Sequence, residues 1–181
     1  KPGTDSFDDP RLRGLDKKPY GPLPRDWGQW QGLGLHGDRV FLHYKIAGRQ
    51  VIETPSHKKS NGVEAVVRTM NFQERDEAIT LQVIKGEGKA KFSTHNGISI
   101  AEFDNGPAVA LSTEAGGAKF VATEDGHLRL AIPSGGQLAL NLAIANGNSE
   151  DVAKLVGSLG KAENLIETLR SGSGRRWTET V

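Results

Sequence analysis

Cysteine is missing from this 181-residue chain, and methionine occurs once. Without cysteine there are no disulfides, no thiolate metal site, no cysteine nucleophile and no Cys-x-x-Cys-His haem attachment within the chain. That leaves the compartment open, because a domain of this size can fold on its core alone. An excess of charge of one sign is missing as well. Lys and Arg number 23 against 22 Asp and Glu, a formal net charge of +1. No long-range field therefore steers the chain onto nucleic acid or an anionic surface. No apolar run approaches the roughly 20 residues needed to cross a bilayer as a helix. Membrane insertion and nucleic-acid binding are accordingly not expected.

What the chain does have is glycine (23 residues), a hydrophobic content of 36% and short alternating runs, the composition of a turn-rich globular protein. One domain with a full core is expected, since a second would be cramped at this length. The densest stretch is residues 15–55, which holds four of the eight prolines, both tyrosines and two of the three tryptophans. Pro19, Pro22 and Pro24 bar regular helix and bias their predecessors to extended geometry. Residues 1–38 are therefore read as an extended arm. Its Phe7, Leu12, Leu15, Tyr20, Leu23, Trp27 and Trp30 are costly to leave in water, about 1.5–3 kcal/mol for a large apolar side chain. The expectation is an arm packed on the rest of the domain or on a neighbour.

From Arg39 the pattern becomes strict alternation, with Val40, Leu42, Tyr44 and Ile46 on one face. A turn at Ala47-Gly48-Arg49 and a return through Val51 and Ile52 predict a hairpin. Pro55 is expected to close it, leaving SHKKSNG as a polar loop. Further strands are predicted at 63–72, 78–84, 97–103, 107–113, 118–123, 127–133 and 137–146, separated by glycine-containing turns in meander order. KGEGKAK reads as a solvated turn, because Glu87 sits among its lysines and no aromatic platform interleaves them. In the last strand Ala139, Asn141, Ala143 and Ala145 form a face of small side chains, suited to close contact with another layer. Ser149, Glu150 and Asp151 predict a helix start, with Val152, Leu155, Val156 and Leu159 on one face and Gly160 as the stop. A second short helix is expected over 161–170. The reading is mainly β: an antiparallel β-sandwich over 39–146 with the N-terminal arm, two short C-terminal helices over 147–170, and a linker over 171–181. Trp177 in that tail, like the opening on Lys1 rather than methionine, suggests a piece of a larger protein, with the tail docking on an adjacent domain.

No catalytic, metal or cofactor site is assigned. The five histidines lie in five different segments, without the i, i+4 helical spacing of a zincin or a His-x-His on a strand. Gly32-Leu33-Gly34-Leu35-His36-Gly37 has the letters of a dinucleotide fingerprint but precedes a strand instead of following one. His36, Asp38 and Arg39 cluster at a strand entrance, where a turn with Asp38 bonding nearby amides and orienting Arg39 is the plainer account. The alternative is a contribution to a neighbour's active site. Tyr20, Trp27 and Trp30, with Asp26, Gln29 and Gln31 nearby, are the aromatic group that could stack on sugar, which gives carbohydrate binding as the other alternative.

The stretch KPYGPLPRDWGQWQGLGLHGDRVFLHYKIAGRQVIETP resembles a domain-of-unknown-function family of large secreted planctomycete-type proteins. The shared features are Tyr-Gly-Pro-Leu-Pro, a following Trp, Gly-Leu and His-Gly-Asp-Arg-Val. FDDPRLRGLD and SGSGRRWTETV are similar to it too, while Gly34 stands where an aromatic is common. The resemblance implies a domain beside c-type cytochrome and quinoprotein-dehydrogenase-like propeller domains. The expected role is thus a non-catalytic accessory or docking domain of an exported, redox-active protein, its partners the adjacent domains of the same polypeptide. Haem c or quinone would belong to those neighbours and not to this chain. The family carries no agreed catalytic residues to transfer.

Overall fold

The computed structural model describes residue 9 and residues 11–60, 62–113 and 117–171. Phe7, Trp177 and all but the first residue of the 171–181 tail lie outside these. The described chain is mainly β, as expected, and the strands fall into three sheets. A small ribbon pairs β1 (Leu12–Arg13) with β2 (Pro19–Tyr20). The main sheet contains β3 (Gly28–His36), β4 (Arg39–Ile46), β5 (Arg49–Ser60), β6 (Val63–Phe72), β8 (Glu87–His95), β9 (Ile98–Asn105), β10 (Ala108–Thr113) and β13 (Leu138–Asn146). Their spatial order is β3-β4-β5-β6-β13-β10-β9-β8, with every neighbouring pair antiparallel. A third sheet, in the order β11-β12-β7, is made of β7 (Ile79–Lys85), β11 (Lys119–Ala122) and β12 (His127–Ile132). The order is not a simple meander, because β13 returns to lie between β6 and β10.

Alternation explains the layers. One face of the main sheet presents Val51, Met70, Phe72, Val109, Leu111, Leu138, Leu140 and Leu142, which close on Leu128, Leu130 and Ile132 of β12 to form the larger core. The opposite face is lined by Ala65, Ala108, Ala110, Ala143 and Ala145. Small side chains let a helix lie close, and α1 (Ser149–Ser158) packs there through Val152, Ala153, Leu155 and Val156. The layer foreseen from the alanines of β13 is this helix.

Several details depart from the sequence reading. Gly28–His36, expected within the arm, is a strand of the main sheet paired with β4. β5 runs through Pro55 to Ser60, so SHKKS is strand and not loop. The lysine-bearing segment after β7 is the edge strand β8 and not a turn. Asn148 caps α1, its side chain accepting from the Asp151 amide, where Ser149 was expected. The second helix is shorter than expected: α2 (Leu165–Arg170) begins after Asn164.

Candidate functional site: a polar cleft and a bare edge strand

The cleft originates in one residue. Ala47 and Gly48 both have positive φ (50° and 77°) and make a two-residue hairpin turn, so Ile46 and Arg49 face each other across it. Hydrogen-bonded pairs then recur at every second position, at Tyr44 with Val51 and Leu42 with Glu53. The next such pair would be Val40 with Pro55, but proline has no N–H to donate. The β4–β5 ladder ends at Glu53. The Val40 carbonyl accepts instead from Thr54 Oγ1 at 2.9 Å, and β5 continues on β6 alone to Ser60. Where the ladder stops, a cleft of about 620 Å³ opens beside Asp38, Arg39 and Val40 of the β3–β4 corner and Thr54, Ser56 and Lys58 of β5.

Its floor is the helix-facing side of the sheet, where Thr54, Thr69 and Asn141 stand in register on β5, β6 and β13. Thr69 Oγ1 donates to Asn141 Oδ1 at 2.8 Å. Its roof is the connection between α1 and α2, through Leu159, Lys161 and Glu163. Two tethers fix that connection. Asn71, buried, donates to the Glu163 carbonyl at 2.8 Å and accepts from the Leu165 amide at 2.9 Å. Arg39 grips the Glu163 carboxylate with both terminal nitrogens, at 3.0 and 2.9 Å. Hydrogen bonding from Arg39, with help from Thr168, holds the Glu163 carboxyl below the ordinary glutamate range.

Asp38 and Arg39 line one end of the cleft, and His36 stands opposite Arg39 at the same strand corner. Arg39 is oriented by Glu163 and by the Phe41 ring, 5.0 Å beneath its guanidinium carbon, and among the described residues Asp38 accepts no hydrogen bond from it. His36 meets the same ring edge-on at 5.9 Å. Sequence reasoning missed Thr54, Ser56, Lys58, Asn141 and Glu163. Two signals were present: Asn141 is an amide in the middle of the otherwise apolar run LALNLAIA, and Asn61-Gly62 is a strong hairpin dipeptide that would have extended β5.

The other sequence-predicted residues go elsewhere. Tyr20 is exposed in the β1–β2 ribbon, where its hydroxyl donates to Asp16 at 2.8 Å. Trp27, half-buried, precedes β3. Trp30 stands on β3 opposite Tyr44. The three rings are not brought into a shared stacking platform: the aromatic ring pair formed by described residues is His36 with Phe41. Trp30 instead joins Leu33 and Leu35, which face Leu42 and Val40. Residues opposite each other share a face, so the three form one stripe on the side of the sheet that carries the larger core. They are 60%, 58% and 60% exposed. No described strand pairs with the outer side of β3.

A second polar group ties β4, β5 and β6 together on that same side. Glu53, 4% exposed, accepts from Arg68 Nε at 2.6 Å, from Arg68 Nη2 at 2.8 Å and from the Tyr44 hydroxyl at 2.6 Å. Burial, and then the neighbouring carboxylate, push the Tyr44 phenol far above its ordinary value. Among the described residues no group of three or more His, Asp or Glu is placed to hold a metal ion, and no helix is long and apolar enough to cross a membrane.

Residues 1–53 match a family model described as Domain of unknown function (DUF6797). Of the described structure, that stretch contains β1 to β4 and the opening of β5, including the stripe and one wall of the cleft. No curated protein and no solved structure matches the chain.

Proposed function

We propose that the chain is a non-catalytic docking module of a larger exported, redox-active polypeptide, and that β3 receives an extended segment of an adjoining domain. One observation carries this reading: an edge strand without a charged residue that displays Trp30, Leu33 and Leu35 to solvent. An outer strand leaves every second N–H and C=O unpaired, and an added strand satisfies them while its alternate side chains cover the stripe. The incoming segment is therefore uncharged where it meets the stripe and apolar at every second position. Haem or quinone chemistry belongs to the neighbouring domains. A contribution of Arg39 to a neighbour's active site is less favoured, because Glu163 and Phe41 already engage its guanidinium.

Amide hydrogen exchange tests the proposal, run on this chain alone and on a longer polypeptide that contains it. Docking is expected to slow exchange across β3 in the longer form and leave β8 unchanged. Equal exchange at β3 in both would sink the reading. Protection of β3 that rises with the concentration of the isolated chain would assign the edge to a second copy instead.

A further inference from the structure

The cleft under the α1–α2 connection lies on the other face of the sheet from the Trp30 stripe, and its chemistry is different. We propose that it is a binding site for a small carboxylate-bearing polyol, the chemical class of a sugar acid.

Its donors and acceptors give the reasoning. Asn141 is 4% exposed, lines the floor, and spends its oxygen on Thr69, while its Nδ2 has no acceptor among the described residues. That nitrogen is not sealed from solvent, so its two unused N–H bonds are open to water or to a ligand oxygen in the cleft. Ser56 and Lys58 follow Thr54 at alternate positions of β5, so all three point into the same space, about 7 Å apart in succession. Neither Ser56 Oγ nor Lys58 Nζ has a side-chain partner among the described residues. The Arg39 guanidinium is already committed to Glu163 and the Glu163 carboxylate to Arg39 and Thr168, which leaves Asp38 as the carboxylate of the cleft with no ion pair among the described residues. Donors therefore outnumber acceptors. A ligand that satisfies them brings one carboxylate for Lys58, oxygens for Ser56 and Asn141, and a hydroxyl that donates to Asp38.

Two further features narrow the class. Val67, Pro55 and Leu159 supply apolar wall for a carbon skeleton, and a volume of about 620 Å³ suits a ligand of one or two sugar rings. Among the described residues no aromatic ring lines the cleft. A neutral sugar would lack the stacking face that usually holds it, so the charge has to supply the discrimination.

Calorimetric titration of the chain with D-glucuronate, D-glucose, acetate and inorganic phosphate tests this. Glucuronate is expected to bind, with glucose and acetate each weaker by about tenfold or more. Lys58→Ala should remove the preference over glucose, and Ser56→Ala should weaken glucuronate about fivefold. Both substitutions are on exposed or half-buried β5 positions, and circular dichroism checks that the fold is kept. The proposal is overturned if glucuronate does not bind, if glucose binds as well, if phosphate competes with equal affinity, or if neither substitution changes the glucuronate titration. None of these results bears on β3.

Discussion

Strand β8 closes one edge of the eight-stranded sheet and carries Glu87, Lys89 and Lys91; β3 closes the other and carries no charge except what His36 can gain. Lys91 is held by Asp104 of β9 at 2.5 Å, and α1 and β11 both approach β8. On β3 the corresponding surface is Trp30, Leu33 and Leu35, open to solvent. Both edges have a bulge, at Glu87–Ala90 and at Trp30–Gly32, so the bulge is not what separates them. Charge on an edge strand discourages pairing with other chains. One edge of this sheet has that protection and the other does not, and the proposed docking surface is the unprotected edge, β3.

The two sides also differ in what holds them. The β8 side is held by apolar layers on both faces, the larger core and the α1 alanine face. Towards β3 the strands are stitched by polar groups, above all Glu53 with Arg68 and Tyr44. The largest expected effect breaks this stitch. Arg68→Ala leaves a buried carboxylate without its cation and should cost about 3–5 kcal/mol in urea unfolding. Replacing both partners, Glu53→Leu with Arg68→Met, should recover most of the loss. If the single change costs as little as an exposed pair, the β3 side is held by something else.

Gly86 supplies the matching break on the β8 side. It is the one residue between β7 of the small sheet and β8 of the main sheet, and a Cβ there would overlap the buried Phe103 ring. Gly86→Ala should cost about 1–3 kcal/mol by overpacking. Hydrogen exchange should quicken at β8 and β9 and stay unchanged at β3. A uniform response would mean that the two edges unfold as one unit.

How much of this could be read from the sequence depended on where the alternation was clean. LALNLAIAN gave both faces of β13, and the alanines announced a layer that proved to be α1. The arm was misjudged in its second half because Gly28, Gly32 and Gly34 dilute the pattern of β3, and the bulge after Trp30 shifts its phase. Gly32, at φ 149°, sits in that bulge. The cleft was illegible for a different reason. Its residues come from separate segments of the chain, and what assembles them is a proline placed at a hydrogen-bonding position, which only the hairpin register reveals. Pro55 ends one ladder and not the strand.

A smaller effect concerns the latch over the cleft. The Glu163 carboxyl titrates below its ordinary value because Arg39 bonds to the charged form. Its stabilisation is therefore complete above the ordinary glutamate range and is lost as pH falls through the lowered folded value. Both side chains are about a third or more exposed, so after solvent screening the contribution is about 0.5 kcal/mol. Glu163→Gln should flatten that acid limb of the stability curve and speed exchange at the Leu165 amide, while β3 and β8 are unaffected. An unchanged limb would show that Asn71 alone holds the connection.

The smallest expected effect on stability decides the comparison. Leu33→Lys and Leu35→Glu give β3 the kind of charge that β8 already has. The side chains are exposed, so each should shift unfolding by no more than about 0.5 kcal/mol in either direction. Within the longer polypeptide the same pair of changes should abolish the protection of β3 amides, because an incoming strand would have to bury both charges against apolar side chains. The mirror change, Lys89→Leu with Lys91→Leu, should raise the tendency of isolated chains to associate through β8, read by sedimentation velocity. Loss of protection without loss of stability would separate docking from folding. If the charged β3 is as well protected as the native strand, the stripe is not the contact, and the difference between the two edges has no bearing on what the chain holds.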